Sequence, residues 1–221
     1  GFFLSAHNAN EDFGECYGFN LIYSGNHFGL VEKSNHDLVR IQTGINPLSF
    51  EWNLKKGECF ESPEAVMTYS DKGLNGMSGN FHRFVNHNIV RGEWKLRERP
   101  VLINNWESCF FKFDEDKLLR LARNAKNAGA ELFVMEDGWF GNRSSDTAGL
   151  GDYSVNSKKL PHGLEGLADK IEGMGMRFGL WFEPEGVNPD SELYRAHPDW
   201  AVKPPAGEPC LGRNQLLLDL T

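Results

Sequence analysis

The sequence predicts a chain in two parts: an antiparallel β-sandwich, then the first strands and helices of a TIM (β/α)8 barrel that is incomplete. Three observations predict it. Up to about residue 90, short β-type runs are separated by Gly, Asn and Pro turns. From about residue 95, apolar runs alternate with amphipathic helical patterns. Three of those later runs end in tryptophan and carboxylates: 101–105 before Trp106-Glu107, 132–135 before Glu136-Asp137-Gly138-Trp139, and 178–182, with Trp181, before Glu183-Pro184-Glu185. A buried parallel strand that delivers polar groups to a ligand at its C-terminal end reads this way.

In the first part, 17–23 is aromatic and β-branched and turns at Ser24-Gly25-Asn26. Residues 38–43 alternate at period two and end in Gly44; 49–54 alternate again before Lys56-Gly57, and 65–69 follow. Such strands predict an antiparallel sandwich. Leu74, Met77, Phe81, Phe84 and Val85 predict a linking helix over 74–90, so the first domain is placed at 1–92 and the second at 93–221. In the second domain 101–105 is a strand and 114–128 a helix, with Leu118, Leu121, Ala122 and Ala125 on one face and a stop at Gly129. Strand 132–135, a Gly/Asn/Ser-rich loop at 141–151, helix 164–174, strand 178–182, a short helix at 190–197 broken by Pro198, and a last apolar strand at 216–220 complete it. Strand-helix-strand order implies parallel strands with right-handed crossovers. A closed barrel needs eight such units and about 250 residues. Only three are complete here, so the sequence reads as ending in mid-domain.

Composition narrows the function. The 221 residues are 40% hydrophobic and 12% aromatic, enough for a core. A net charge of −8 argues against nucleic acid or an anionic membrane as partner. No apolar run approaches the roughly 18–20 residues that span a bilayer, and the first residues lack the charged start of a signal peptide. Cys16, Cys59, Cys109 and Cys210 form no C-x-x-C pair. That argues against a zinc site and for reduced thiols in a cytoplasmic protein. No metal or other cofactor is expected.

The strand ends carry the candidate chemistry. An isolated tryptophan is most often core, but Trp106 and Trp181, at matching strand ends near carboxylates, read as stacking surfaces for a sugar face. Trp139 and Trp200 have weaker claims. Glu136 and Asp137 are either a strand-end cap or ion pair, or a pair of acceptors for sugar hydroxyls, since a carboxylate takes two or more strong hydrogen bonds. Glu183 and Glu185 lie i, i+2 on one side of an extended segment. They therefore cannot straddle a scissile bond as a glycosidase pair must, and they read as support for the cleft floor. Arg213, before the last strand, reads equally as an exposed loop residue or as a donor fork to substrate.

Several motifs follow in order: Asn104-Asn105-Trp106-Glu107, Glu136-Asp137-Gly138-Trp139-Phe140-Gly141, Leu160-Pro161-His162-Gly163-Leu164, Gly179 to Glu185, Tyr194 to Trp200 and Gly212-Arg213-Asn214-Gln215. Together they resemble the bacterial α-galactosidases of glycoside hydrolase family 36. The segments 17–24, Gly44-Ile45-Asn46-Pro47 and Phe81-His82-Arg83-Phe84 resemble the end of that family's N-terminal sandwich. The resemblance implies a retaining hydrolase for terminal α-1,6-linked galactose in melibiose, raffinose and related oligosaccharides, often a tetramer. It implies substrate binding by Trp106, Glu136, Asp137, Trp181 and Arg213, with the carboxylate pair on the galactose C4 and C6 hydroxyls.

The sequence departs from that family in two places. The pair is normally Asp-Asp, and Glu136 adds a methylene that moves its carboxylate by roughly 1.5 Å. Gly186 stands where a larger apolar residue usually follows Glu185, which predicts a looser loop. The family's nucleophile, in a Lys-Trp-Asp motif, and its acid/base have no counterpart here and are expected beyond Thr221. The polypeptide alone is then expected to be inactive. A non-catalytic sugar-binding protein and a galactosyl transferase are the competing readings.

Overall fold

The computed structural model describes residues 1–48 and 50–220. The chain forms two units, Gly1–Glu98 and Arg99–Thr221.

In the first unit, β1 (Phe2–Ser5), β2 (Cys16–Leu21) and β5 (Ala65–Ser70) form an antiparallel sheet in the order β1-β2-β5. Strands β3 (His27–Lys33) and β4 (Val39–Ile45) form a separate antiparallel pair. Alternation along β2 sends neighbouring residues to opposite faces. Phe19 stacks on Phe2 with centroids 5.2 Å apart, and the Phe2 ring covers Gly29 of β3. Gly18 instead meets Phe81 and Met77 of helix α1 (Gly73–Phe84). Glycine is needed there because a side chain would run into the Phe81 ring.

The expected helix over 74–90 is therefore α1 plus one π-turn, Val85–Ile89, which closes where the Val90 N–H donates to the Val85 carbonyl at 2.9 Å. The expected strand over 49–54 is a correction. Ser49 lies outside the described residues, and 50–54 pair with no strand. Trp52 and Phe50 pack on Phe60 instead, 5.0 and 6.0 Å between centroids. Alternation describes side chains, whereas a strand also needs a partner edge for its main chain. Strands β1 and β3 were not expected; β3 carries Gly29, Glu32 and Lys33 and is paired by β4 alone.

In the second unit, β6 (Leu102–Asn104), β7 (Leu132–Met135) and β8 (Arg177–Leu180) form a parallel sheet in the order β6-β7-β8. After β6 come the short α2 (Trp106–Cys109) and then α3 (Glu115–Asn127), which crosses to β7; α4 (Gly163–Glu172) crosses to β8. Asp114 starts α3 by accepting from the Lys117 N–H at 2.8 Å, and the chain leaves it through Gly129 at φ +96°. Leu118, Ala122 and Ala125 of α3, Leu167 and Ile171 of α4, and Phe133 and Met135 of β7 form the core with Trp139, Phe140, Leu150 and Leu160. Burying a side chain the size of Leu or Ile contributes about 1.5–3 kcal/mol, so the sheet and both crossovers share one source of stability.

Beyond β8 the chain differs from the expected pattern. Strand β9 (Gly186–Val187) precedes α5 (Glu192–Ala196), and the run expected as a strand over 216–220 is only β10 (Leu216–Leu217). It pairs antiparallel with β9, Leu216 opposite Val187, rather than joining the parallel sheet. Val187, Ala201 and Leu216 form a small second core there.

Candidate active site

The C-terminal ends of β6 and β7 are tied together by side chains from the Asn104-Asn105 pair, and Trp139 ties the end of β7 to that of β8. Asn105 is fully buried, and its amide oxygen accepts the Glu136 N–H at 2.9 Å. The Asn104 amide donates to Glu136 Oε1 at 2.9 Å and accepts the Trp106 N–H at 3.2 Å. Trp139 is core, 1% exposed, and its Nε1–H donates to the Trp181 carbonyl at 3.1 Å. Three strand ends are thus held in one register by buried, satisfied polar groups.

Above them lies a cavity of about 320 Å³. That is at the small end of the range for small-molecule sites, roughly 300–1,000 Å³. Trp106, Glu136, Asp137, Trp181 and Arg213 all line it, with Phe111, Arg143, Asp146, Glu183 and Gln215. Trp106 is braced edge-on by Phe110 and Phe111 at 5.2 and 5.1 Å, and Trp181 lies parallel to Phe140 at 6.5 Å and 7°. The indole faces are set by packing rather than by the loop. Trp200 stands apart, 45% exposed and stacked on His197 at 4.0 Å.

The two adjacent carboxylates are not equivalent. Asp137 is buried and already paired: Arg143 Nε donates to its oxygens at 2.9 and 3.1 Å and Nη2 to Oδ2 at 2.7 Å. The remaining arm of Arg143, Nη1, donates to the Ala148 carbonyl at 3.1 Å and to Asn188 Oδ1 at 2.8 Å. Asn188 in turn accepts the Leu150 N–H and donates to the Asp146 and Asn214 carbonyls. Of the two uses expected for Asp137, the ion pair is made in full, with two donors on Oδ2 and one on Oδ1, so Oδ1 keeps acceptor capacity for a ligand. Glu136 has one side-chain partner, Asn104, and burial together with the neighbouring Asp137 charge pushes its carboxyl above the usual carboxylate range.

The loop after β7 is fastened by Lys159. Its ammonium donates to the carbonyls of Phe111, Gly138 and Arg143 at 3.0, 2.6 and 3.2 Å and lies 4.6 Å from the Phe113 ring centroid. Burial lowers its pKa. Arg213 and Asn214 both have positive φ, +50° and +65°, in a two-residue turn closed by reciprocal Gly212 and Gln215 main-chain bonds. Arginine there is strained by roughly 1–3 kcal/mol, which is characteristic of a functional position.

Glu183 lines the cavity, and Glu185 is exposed but near enough for its charge to raise the Glu183 carboxyl. Gly186 corrects the expectation of a looser loop: it is buried in β9, and an added Cβ would sit 2.6 Å from Gln215 Oε1 and 2.8 Å from Leu150. Arg143, Asp146, Asn188 and Lys159 were not among the residues singled out from sequence. For Arg143 and Asp146 the available signal was a charged residue inside a Gly/Asn/Ser-rich loop directly after a carboxylate-bearing strand; Asn188 and Lys159 lie outside that loop. Among the described residues no group of three His, Cys, Asp or Glu side chains is placed to hold a metal ion.

Comparison with known proteins gives the family of the chain. The melibiase family matches residues 59–221, and the glycosyl hydrolase family 36 N-terminal domain matches residues 1–55. The α-galactosidase AgaA of Geobacillus stearothermophilus is 51% identical over 98% of this chain, which spans 30% of that relative. The crystal structure of the family 36 α-galactosidase AgaB from the same organism superimposes with a TM-score of 0.88 at 52% identity, covering 98% of this chain and 30% of that one. A variant of AgaA solved in complex with raffinose matches with a TM-score of 0.88 at 50% identity, covering 98% of this chain and 30% of its own. The chain therefore spans about a third of the length of these relatives. With both family models matched in order along its length, the chain belongs to the melibiases of glycoside hydrolase family 36.

Proposed function

We propose that the longer protein containing this chain is a retaining α-galactosidase, acting on terminal α-1,6-linked galactose in melibiose- and raffinose-type oligosaccharides. In this reading residues 1–221 supply one wall of its galactose site. The observation that carries the reading is the convergence of Trp106, Glu136, Asp137, Trp181 and Arg213 on one small cavity in a chain about half identical to an α-galactosidase. The indoles offer apolar faces to the sugar C–H groups. Glu136 and Asp137 accept hydroxyl hydrogen bonds from the C4 and C6 edge, and the Arg213 fork donates to a sugar oxygen. Hydroxyl recognition of this kind discriminates strongly, because a wrong epimer leaves buried acceptors unpaired.

The reaction is a double displacement through a covalent galactosyl-enzyme, with one carboxylic acid serving first as acid and then as base. Neither partner comes from the cavity carboxylates described here. Glu136 and Asp137 are adjacent rather than opposed, and Asp137 is occupied by Arg143. The nucleophile and acid/base are supplied by residues outside 1–221, and the isolated chain is inactive. Residues 1–92 then close the N-terminal sandwich, and 93–221 begin the (β/α)8 barrel. Exposed Val101, Leu102 and Ile103 on the outer parallel strand are apolar surface for the rest of the barrel to cover. The assembled enzyme is a cytoplasmic homo-oligomer, a tetramer.

The test is raffinose hydrolysis by the full-length protein followed by proton NMR. The expected first product is α-galactose. The β-anomer first would overturn retention, and galactose binding without release of sucrose would favour a non-catalytic sugar-binding protein. Hydrolysis of a chromogenic α-galactoside by residues 1–221 alone would contradict the division of the site.

A further inference from the structure

Glu183 is held by its main chain and left nearly unsupplied at its carboxylate. The Tyr153 hydroxyl donates to the Glu183 carbonyl at 2.7 Å and accepts the Glu183 N–H at 3.1 Å, so one phenol clamps both backbone groups of one residue. The Tyr153 ring is itself wedged against Phe140, Phe182 and Trp139, at 4.6, 5.2 and 6.1 Å between centroids. Burial pushes its phenol up to about 12, so it stays protonated. Among the described residues the Glu183 carboxylate has one hydrogen-bond donor, Gln215 Nε2, at a long 3.4 Å. Asp137, by contrast, has the Arg143 fork, and Glu136 has Asn104. Gly186 completes the arrangement, since its bare Cα leaves the space that Gln215 fills.

A carboxylate on a clamped main chain, partly desolvated and short of donors, has acceptor capacity available to the cavity it lines. We propose that Glu183 is a further sugar-binding residue, accepting a hydrogen bond from a ring hydroxyl of the galactoside, with Tyr153 as its positioning residue. The proposal rests on the galactoside reading of the cavity. Burial, Glu185 and Asp137 push the Glu183 carboxyl up, while Arg213 and Arg143 pull it down. Gln215 adds its one long hydrogen bond, and a hydroxyl donor from the sugar adds the interaction that the carboxylate lacks.

The experiment measures galactose binding by calorimetry in the full-length protein, as wild type, Glu183→Gln and Tyr153→Phe. Each is also titrated with the monodeoxygalactoses. Glu183→Gln keeps size and shape while removing the charge, and a hydrogen bond to a charged group predicts a loss of about 10-fold or more in affinity. One deoxy sugar that binds wild type poorly should bind Glu183→Gln as well as galactose does, which identifies the hydroxyl. Tyr153→Phe should lose affinity with that same deoxy sugar affected, and the thermal midpoint of Glu183→Gln should not fall. A purely structural Glu183 would lower the midpoint and leave the deoxy-sugar pattern intact, and that result overturns the proposal. So does a Glu183→Gln protein that binds galactose within about twofold of wild type, where a charged hydrogen bond predicts more. A wild type that binds no galactose removes the galactoside reading itself, and this assignment with it.

Discussion

Replacing Arg143 with methionine removes the cation that neutralises a buried aspartate. The side chains of Arg143 and Asp137 are only 4% and 9% exposed, so water cannot stand in for the missing partner. Breaking a buried pair from one side leaves an uncompensated charge and costs about 3–5 kcal/mol. Three donor contacts to Asp137 are lost, together with those to Ala148 and Asn188. Asn188 Oδ1 keeps the Leu150 N–H at 2.9 Å, so the loss falls mainly on Asp137. The assay is urea unfolding of the full-length protein with Arg143→Met, Asp137→Asn and the double variant. Each single change should destabilise by about 3 kcal/mol or more, and the double by clearly less than their sum, because the second change removes the group that the first left unpaired. A single-variant loss below about 1 kcal/mol, the range of an exposed pair, or strict additivity would refute the view that this pair holds the site together.

Other consequences are equally direct. Lys159→Met strands three carbonyls that belong to two loops, and should lower the thermal midpoint together with galactoside affinity, whereas Lys159→Arg should recover part of both. Burial works against the charge of Glu115, but hydrogen bonds from Lys170 and His162 outweigh it and hold its pKa below the usual range. Its contribution is therefore complete above the ordinary carboxylate pKa and fades as pH falls through the depressed folded value; an acid titration of stability should lose that component in Glu115→Gln. Glu136 has the opposite sign: its raised pKa disfavours the folded state once ionised, so Glu136→Gln should raise the neutral-pH thermal midpoint while weakening galactose binding. Shortening the same arm with Glu136→Asp should raise kcat/KM on raffinose by about 10-fold, the order of effect of one hydrogen bond to a charged group brought into place. Gly186→Ala should cost roughly 1–3 kcal/mol, because its Cβ displaces Gln215 and presses on buried Leu150.

The second unit was legible because buried parallel strands are continuous apolar runs. Strand β7 falls at Leu132–Met135, where the run predicts it, and Asp114 and Gly129 bracket α3 as cap and exit. The first unit was less legible. Its strands are half exposed, so β3, with a glycine and two charges, carried little pattern, while the stronger alternation over 49–54 had no partner edge. At the site, the residues at strand ends could be found because each strand announces its own end. Arg143 and Asn188 could not, since their role depends on which carboxylate a long loop folds back to, and nothing in local spacing records that. Glu183 was legible as a residue near the cleft, but the clamp on its main chain comes from Tyr153, thirty residues upstream, and local spacing does not record it.

The central claim is that this cavity holds a galactose ring. A crystal structure of the full-length protein soaked with galactose tests it most directly. The account predicts one sugar ring over Trp181, with hydroxyls on Glu136 and Asp137 and an oxygen within reach of Arg213. Galactose bound elsewhere with this cavity empty, or seated here without contact to either carboxylate, would contradict it.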